Sequence, residues 1–170
     1  MEETQEQKVL RIPSLKIFDD DWDVLQKFLE LKGNPPYSLG GDLFLMGIPV
    51  KSLGNLQSVG GYLDLKGTLV KSLGILKSVG GGLNLISTPI QSLGNLKSVG
   101  GNLDLSITPI KSLGNLTSVG GDLYLQGTPI KSLGNLTSVG GDLSLHGTPL
   151  SIYTREQIQE MINVEGRIFK

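Results

Sequence analysis

The chain has 170 residues, with 15 Lys and Arg against 16 Asp and Glu for a formal net charge of −1, a balance that argues against a nucleic-acid binder or a polybasic membrane anchor. It holds no cysteine and one histidine, His146, which excludes disulfides, thiolate chemistry and cysteine-ligated metals and leaves little material for a histidine-based site. Twenty-four glycines beside only 5% aromatic residues point to a repeating turn.

Residues 1–36 read as an N-terminal helical cap. The opening MEETQEQKVLR is charged and lacks the apolar core of a secretory signal, and no apolar run in the chain approaches the roughly 20 residues of a membrane span. A cytoplasmic protein is therefore expected, with a virion component as the alternative. A helix is predicted over Asp20 to Lys32: Asp19, Asp20 and Asp21 suit its N-terminus and dipole, and Trp22, Leu25, Phe28 and Leu29 form one apolar stripe. Gly33 ends it, and Pro35-Pro36 prevent continuation.

From residue 37 to 150 the chain repeats itself. SVGG recurs at 58–61, 78–81, 98–101, 118–121 and 138–141, a period of 20 residues without insertion, and the unit reads G-G-x-L-x-L-x-x-T-P-I-x-S-L-G-N-L-x-S-V. Within a unit, Leu63 and Leu65 alternate with Tyr62, Asp64 and Lys66, the period of a strand with one buried face. After Thr68 the apolar spacing becomes three (Val70, Leu73, Leu76, Val79), which suits tight inward turns and excludes a long α-helix. Gly60-Gly61 and Gly74 mark corners, where either a positive φ or a close approach between coils is required. One coil offers about six aliphatic side chains, each contributing about 1.5–3 kcal/mol when buried, against roughly 1–2 kcal/mol per ordered backbone residue. A single coil cannot fold alone, so the coils must stack into a solenoid. Strands are expected at 42–46, 62–66, 82–86, 102–106, 122–126 and 142–146, in a right-handed coil with one or two strands per turn.

The string L-x-L-x-x-T-x-I (Leu63, Leu65, Thr68, Val70; Leu103, Leu105, Thr108, Ile110) resembles the core of the leucine-rich repeats, L-x-L-x-x-N-x-L, with Thr at the position of the usual Asn. The 20-residue period is similar to that of the shortest such repeats, found in bacterial effector proteins, and S-V-G-G-x-L-x-L is similar to receptor L-domain coils. Glycine-rich repeats ending in a short helical tail also resemble ones encoded by bacteriophages and bacteria. The resemblance implies a mainly β, leucine-rich-repeat-like parallel solenoid of five to six 20-residue coils, capped by a short helix at each end.

Residues 151–170 read as a C-terminal helical cap. Thr154-Arg155-Glu156-Gln157 is a capping box, Ile158, Met161 and Ile162 are expected to face the last coil, and Val164, Ile168 and Phe169 to add a final strand.

No pattern of the chain carries catalysis. The glycine pairs open no predicted helix and lack the lysine of a phosphate loop. Ser144 and His146 stand two apart on one strand, about 7 Å and so beyond nucleophile–base reach. Asp64, Asn84 and Asp104 on neighbouring strands fall short of the six to eight oxygens that calcium takes. Asn55, Asn95, Asn115 and Asn135 are expected to satisfy turn backbone groups. No enzyme activity, cofactor or metal is expected.

Two sets of residues stand out on the surface. Lys51, Lys71, Lys111 and Lys131 share one repeat position, interrupted by Gln91, and stack into a basic row, expected to be a solvated face whose like charges discourage edge-to-edge association, with a docking stripe for an anionic partner surface as the alternative. The outward strand positions are where the coils stop being copies, and aromatic residues stand among acids there: Phe44, Tyr62, Asp64, Asp104, Asp122 and Tyr124 form the expected partner-binding face. The expected function is a non-catalytic protein–protein interaction module working through that face; the alternative is a structural component of a virion or other assembly. The partner is another protein, with neither nucleic acid nor membrane.

Overall fold

The computed structural model describes residues 8–170. The chain begins with strand β1 (Leu10–Ile12), a 3-10 turn at Leu15–Phe18 and helix α1 (Trp22–Leu31). The coils then follow, each supplying two short strands: β2 (Tyr37–Leu39) with β3 (Leu43–Phe44), β4 (Leu56–Val59) with β5 (Leu63–Asp64), and β6 (Ser78–Val79) with β7 (Leu83–Asn84). They continue as β8 (Ser98–Val99) with β9 (Leu103–Asp104), β10 (Ser118–Val119) with β11 (Leu123–Tyr124), and β12 (Ser138–Val139) with β13 (Leu143–Ser144). A second 3-10 turn (Pro149–Ile152), helix α2 (Arg155–Met161), β14 (Asn163–Val164) and β15 (Ile168–Phe169) complete the chain.

Two strands per coil, not one, is the observed arrangement. Sheet A runs β1-β2-β4-β6-β8-β10-β12-β14 and sheet B runs β15-β13-β11-β9-β7-β5-β3, all pairs parallel. Partners stand one repeat apart, Leu63 beside Leu83 and Leu83 beside Leu103. In sheet B the ladder bonds continue beyond the two-residue strands. Leu63 N–H donates to Gly82 C=O at 2.9 Å, Leu65 N–H to Asn84 C=O at 2.9 Å and Gly67 N–H to Ile86 C=O at 3.1 Å. The paired stretch thus covers the predicted 62–66.

The two periodicities converge on one core. Leu63, Leu65, Val70, Leu73, Leu76 and Val79 are all buried, and their counterparts in every coil stack above and below them. The third side of the coil, after Thr68, carries no continuous sheet. Ser52, Ser72, Ser92, Ser112 and Ser132 each accept from the glycine N–H two residues on, at 3.0–3.1 Å. Those glycines, Gly54 to Gly134, hold φ near +60°. At the turn leaving sheet B, Thr88, Thr108, Thr128 and Thr148 are buried and donate to the carbonyl three residues earlier at 2.7–2.8 Å. The predicted asparagine ladder is partial: Asn55 and Asn115 donate their side-chain amides to Asn34 and Gly94 carbonyls, one coil back.

The glycine pair between the sheets answers a steric demand. Gly80, Gly100 and Gly120 are outside the positive-φ region, but a Cβ at any of them would overlap the carbonyl oxygen of the glycine one coil earlier. Close approach is therefore the reason for glycine at this corner.

Both ends are covered. The predicted Asp20–Lys32 helix is observed as Trp22–Leu31, because Asp19 and Asp20 hold left-handed φ of 54° and 57° and cannot belong to it. Asp21 is its N-cap, accepting from Asp23 and Val24 N–H groups. Trp22, Leu25 and Leu29 are buried, and Phe28 packs on Phe18 with ring centroids 5.2 Å apart. Ahead of α1, β1 adds a strand to sheet A that sequence reading had assigned to the helical cap. At the other end the Thr154 capping box forms with Gln157. Ile158 and Ile162 turn inward, whereas Met161 stays 51% exposed, contrary to expectation. The helix ends at Met161 and Ile162 is already extended, so only one narrow face meets the last coil. The expected final strand is two strands: Val164 and Ile168 lie in β14 and β15, which pair with β12 and β13.

Two substitutions test this geometry from opposite directions. Gly100→Ala is expected to lose more than about 2 kcal/mol of stability by chemical denaturation, since the Gly80 backbone one coil earlier leaves no room for the methyl. Ile107 holds φ of +58° at a position where Gly47, Gly67, Gly127 and Gly147 stand in other coils, and it is 69% exposed. Its backbone strain of about 1–2 kcal/mol exceeds the ~0.5–1 kcal/mol entropic cost of glycine, so Ile107→Gly is expected to raise the melting temperature by about 1–3 °C.

Candidate interaction face

Sheet B turns two columns of leucine side chains into the core and three columns outward. By coil the outward residues are Asp42, Phe44, Met46; Tyr62, Asp64, Lys66; Gly82, Asn84, Ile86; Asn102, Asp104, Ser106; Asp122, Tyr124, Gln126; and Asp142, Ser144, His146. All six residues expected to bind a partner lie on this one face, because Phe44, Asp64, Asp104 and Tyr124 belong to the strands β3, β5, β9 and β11, and Tyr62 and Asp122 immediately precede theirs. Phe44 is 61% exposed and its ring lies 6.1 Å from that of Tyr62. Met46, 60% exposed, stands beside Phe44 on the same strand edge. Sequence reading did not single out Met46 as a contact, although its alternation with Leu45 already placed it outward.

The acids on this face have main-chain partners. In the first column an inter-coil ladder runs along the solenoid. Asp42 Oδ1 accepts from Tyr62 N–H at 2.7 Å, Asn102 Oδ1 from Asp122 N–H at 2.8 Å, Asp122 Oδ1 from Asp142 N–H at 2.7 Å, and Asp142 Oδ1 from Arg167 N–H at 2.7 Å. In the second column Asp64, Asn84 and Asp104 each accept, through Oδ1, the N–H two residues on, at 2.9–3.1 Å. That local bond satisfies a donor at the point where the strand ends. Each carboxylate thus commits one oxygen to the backbone and carries its charge outward.

Charge on the face follows from these bonds. The Asp142 N–H and then the Tyr124 hydroxyl hold the Asp122 carboxyl below the usual carboxylate range. Tyr124 donates its hydroxyl proton to Asp122 Oδ2 at 2.7 Å, and that bond pushes its own pKa up. Partial burial, then the Asp64 carboxylate, raises Tyr62. At neutral pH the Asp122 carboxylate therefore stands beside a protonated Tyr124 phenol.

The remaining sequence candidates fall elsewhere. Lys51, Lys71, Lys111 and Lys131 are exposed on the third side of the coil, next to sheet B across the turn at 66–70. His146 is exposed, with its ring 6.5 Å from that of Phe169, while Ser144 is buried. Among the described residues no group of three or more His, Asp or Glu side chains is placed to hold a metal ion, and no helix is long and apolar enough to cross a membrane. The outer face of sheet A is a shallow groove of stacked serine and glycine, from Ser38 and Gly40 to Ser138 and Gly140. No protein-family model, curated protein or solved structure matches this chain.

The Tyr124–Asp122 bond gives a measurable signature. Tyr124→Phe is expected to move the Asp122 carboxyl pKa upward, read by NMR titration. Because the folded value is depressed, Asp122 stabilises the fold at pH above its unfolded pKa and ceases to do so as pH falls through the folded one. The variant should therefore be less stable than wild type at neutral pH, and the difference should shrink as pH falls through the folded pKa of Asp122.

Proposed function

We propose that this protein is a non-catalytic interaction module, a leucine-rich-repeat-like solenoid that binds another protein through the outward face of sheet B. The observation that supports this reading is the exposed Phe44–Tyr62 pair with Met46, on the one face where coils that are otherwise near copies differ. Nothing in the fold requires large apolar side chains there, and aromatic residues at the centre of a contact are the usual anchors of binding energy. The carboxylates of the face are each committed to a backbone N–H, which supports recognition and not chemistry.

Size bounds the interaction. The seven strands of sheet B by three columns give roughly 29 by 14 Å between outermost residues, about 400 Å² before side-chain margins. A stable complex takes about 800 Å² per partner, so the contact is weak or extends onto the neighbouring lysine side. The double variant Phe44→Ala with Tyr62→Ala is expected to bind a partner captured from the native source about fivefold more weakly, at least about 1 kcal/mol, with an unchanged circular dichroism spectrum. Unaltered affinity in the folded variant would move the site off this face and leave the structural-assembly reading ahead.

A further inference from the structure

The charges of the coils are sorted by side. Between residues 37 and 150 every acid (Asp42, Asp64, Asp104, Asp122, Asp142) lies on the outward face of sheet B. Six of the seven bases there (Lys51, Lys71, Lys77, Lys97, Lys111, Lys131) lie on the stretch between sheet B and the next strand of sheet A, which has no acid in any coil. Lys66 is the exception. Stacking like charges in rows about 4.8 Å apart costs free energy along each row. The sorting therefore asks for a reason outside the single coil.

The sorting also has a shared gap. The first two coils each carry one acid on the face and one lysine in the row: Asp42 with Lys51, Asp64 with Lys71. The third has neither, with Gly82 and Asn84 on the face and Gln91 in the row. The fourth and fifth again have both, Asp104 with Lys111 and Asp122 with Lys131. The sixth coil has an acid without a lysine, and that acid, Asp142, is the one that is paired within the chain, to Arg167 at 3.3 Å. Among the described residues none of the other four acids pairs with a lysine. The matched charges therefore do not meet within one molecule.

Resting on the reading of sheet B as the binding face, we propose that one partner of that face is a second copy of this chain, presenting its lysine side. Coil lies against coil, so that four carboxylates meet four ammonium groups, and the third coil of each copy, with no acid on the face and Gln91 in the row, meets its counterpart in the other. Only a partner with the same rise per coil keeps all four pairs in step, and this chain has that rise by construction. The gap sits in the middle of five coils, so the charges match for copies running in the same or in opposite directions. The contact is heterologous: each copy retains a free lysine side and a free acidic face, and growth does not stop at two. Its small area makes each contact weak, and exposed charges make it sensitive to salt, which screens them over about 10 Å at 0.1 M.

Sedimentation velocity on the purified full chain tests this. At low salt the sedimentation coefficient is expected to rise with protein concentration beyond that of a dimer, and at 0.5 M salt to stay that of a monomer. Lys111→Glu with Lys131→Glu should abolish association at low salt. So should Asp42→Asn, Asp64→Asn, Asp104→Asn and Asp122→Asn together, a set that keeps the fold because Asn84 and Asn102 already fill these two columns. Mixing the two variants should restore a one-to-one dimer that grows no further, since each retains one working side. A wild-type chain that stays monomeric at low salt overturns the proposal, as does association that survives the lysine reversal. Either result leaves the Phe44–Tyr62 test against a foreign partner standing on its own.

Discussion

The corner between the two sheets fixes everything else in this protein. Where the chain leaves sheet A at Gly60, Gly80, Gly100, Gly120 and Gly140, each backbone approaches the carbonyl one coil back so closely that a Cβ has no room. That approach locks the coils in step and allows the N–H groups of those glycines to donate to the preceding coil's Leu39, Val59, Val79, Val99 and Val119 carbonyls at 2.7–2.9 Å. With the corner pinned, the residues two and four beyond the second glycine are set at one height in every coil. The leucines at 63, 65, 83 and 85 then stack into one core, and the residues between them must face outward.

Much of this was legible because a period of 20 repeated without insertion leaves few ways to bury the same six aliphatics. The strand at Leu63 and Leu65 declared itself by alternation. The second strand did not: Ser78-Val79 is too short to show a period, and it became a strand only because its neighbours one coil away hold it in register. The same reason hid β1, whose Leu10-Arg11-Ile12 carries no repeat signature yet pairs along its whole length with Tyr37-Ser38-Leu39. Helix ends were misplaced by one or two residues where side-chain type did not reveal backbone φ, as at Asp19 and Asp20.

The outward face was legible as a place and less so as chemistry. Its aromatic and acidic residues were found by asking where the coils differ. That Asp64 and Asp104 cap their own strand ends, and that Asp42 and Asp122 bridge to the next coil, could not be read from residue type. An Asp that carries surface charge and one that satisfies a backbone donor have the same letter. Here each does both, which explains how the face tolerates so many carboxylates: the N–H groups that hold them stabilise the charge, and the fold gains an anchor wherever recognition gains an acid.

The unbroken register also governs how the molecule would respond to being pulled. Each coil touches the core only through the coils before and after it, and the terminal ones are closed by α1 at one end and, at the other, by α2 and the Arg155 Nε that donates to the Ile168 carbonyl of β15 at 3.1 Å. Tension applied to the chain ends would peel the stack from whichever cap yields first, and every coil released after that adds the same 20 residues, about 70 Å of extended chain. A solenoid with loops of unequal length would give way in unequal steps. This one is built like a ruler, and it lengthens by its own graduations.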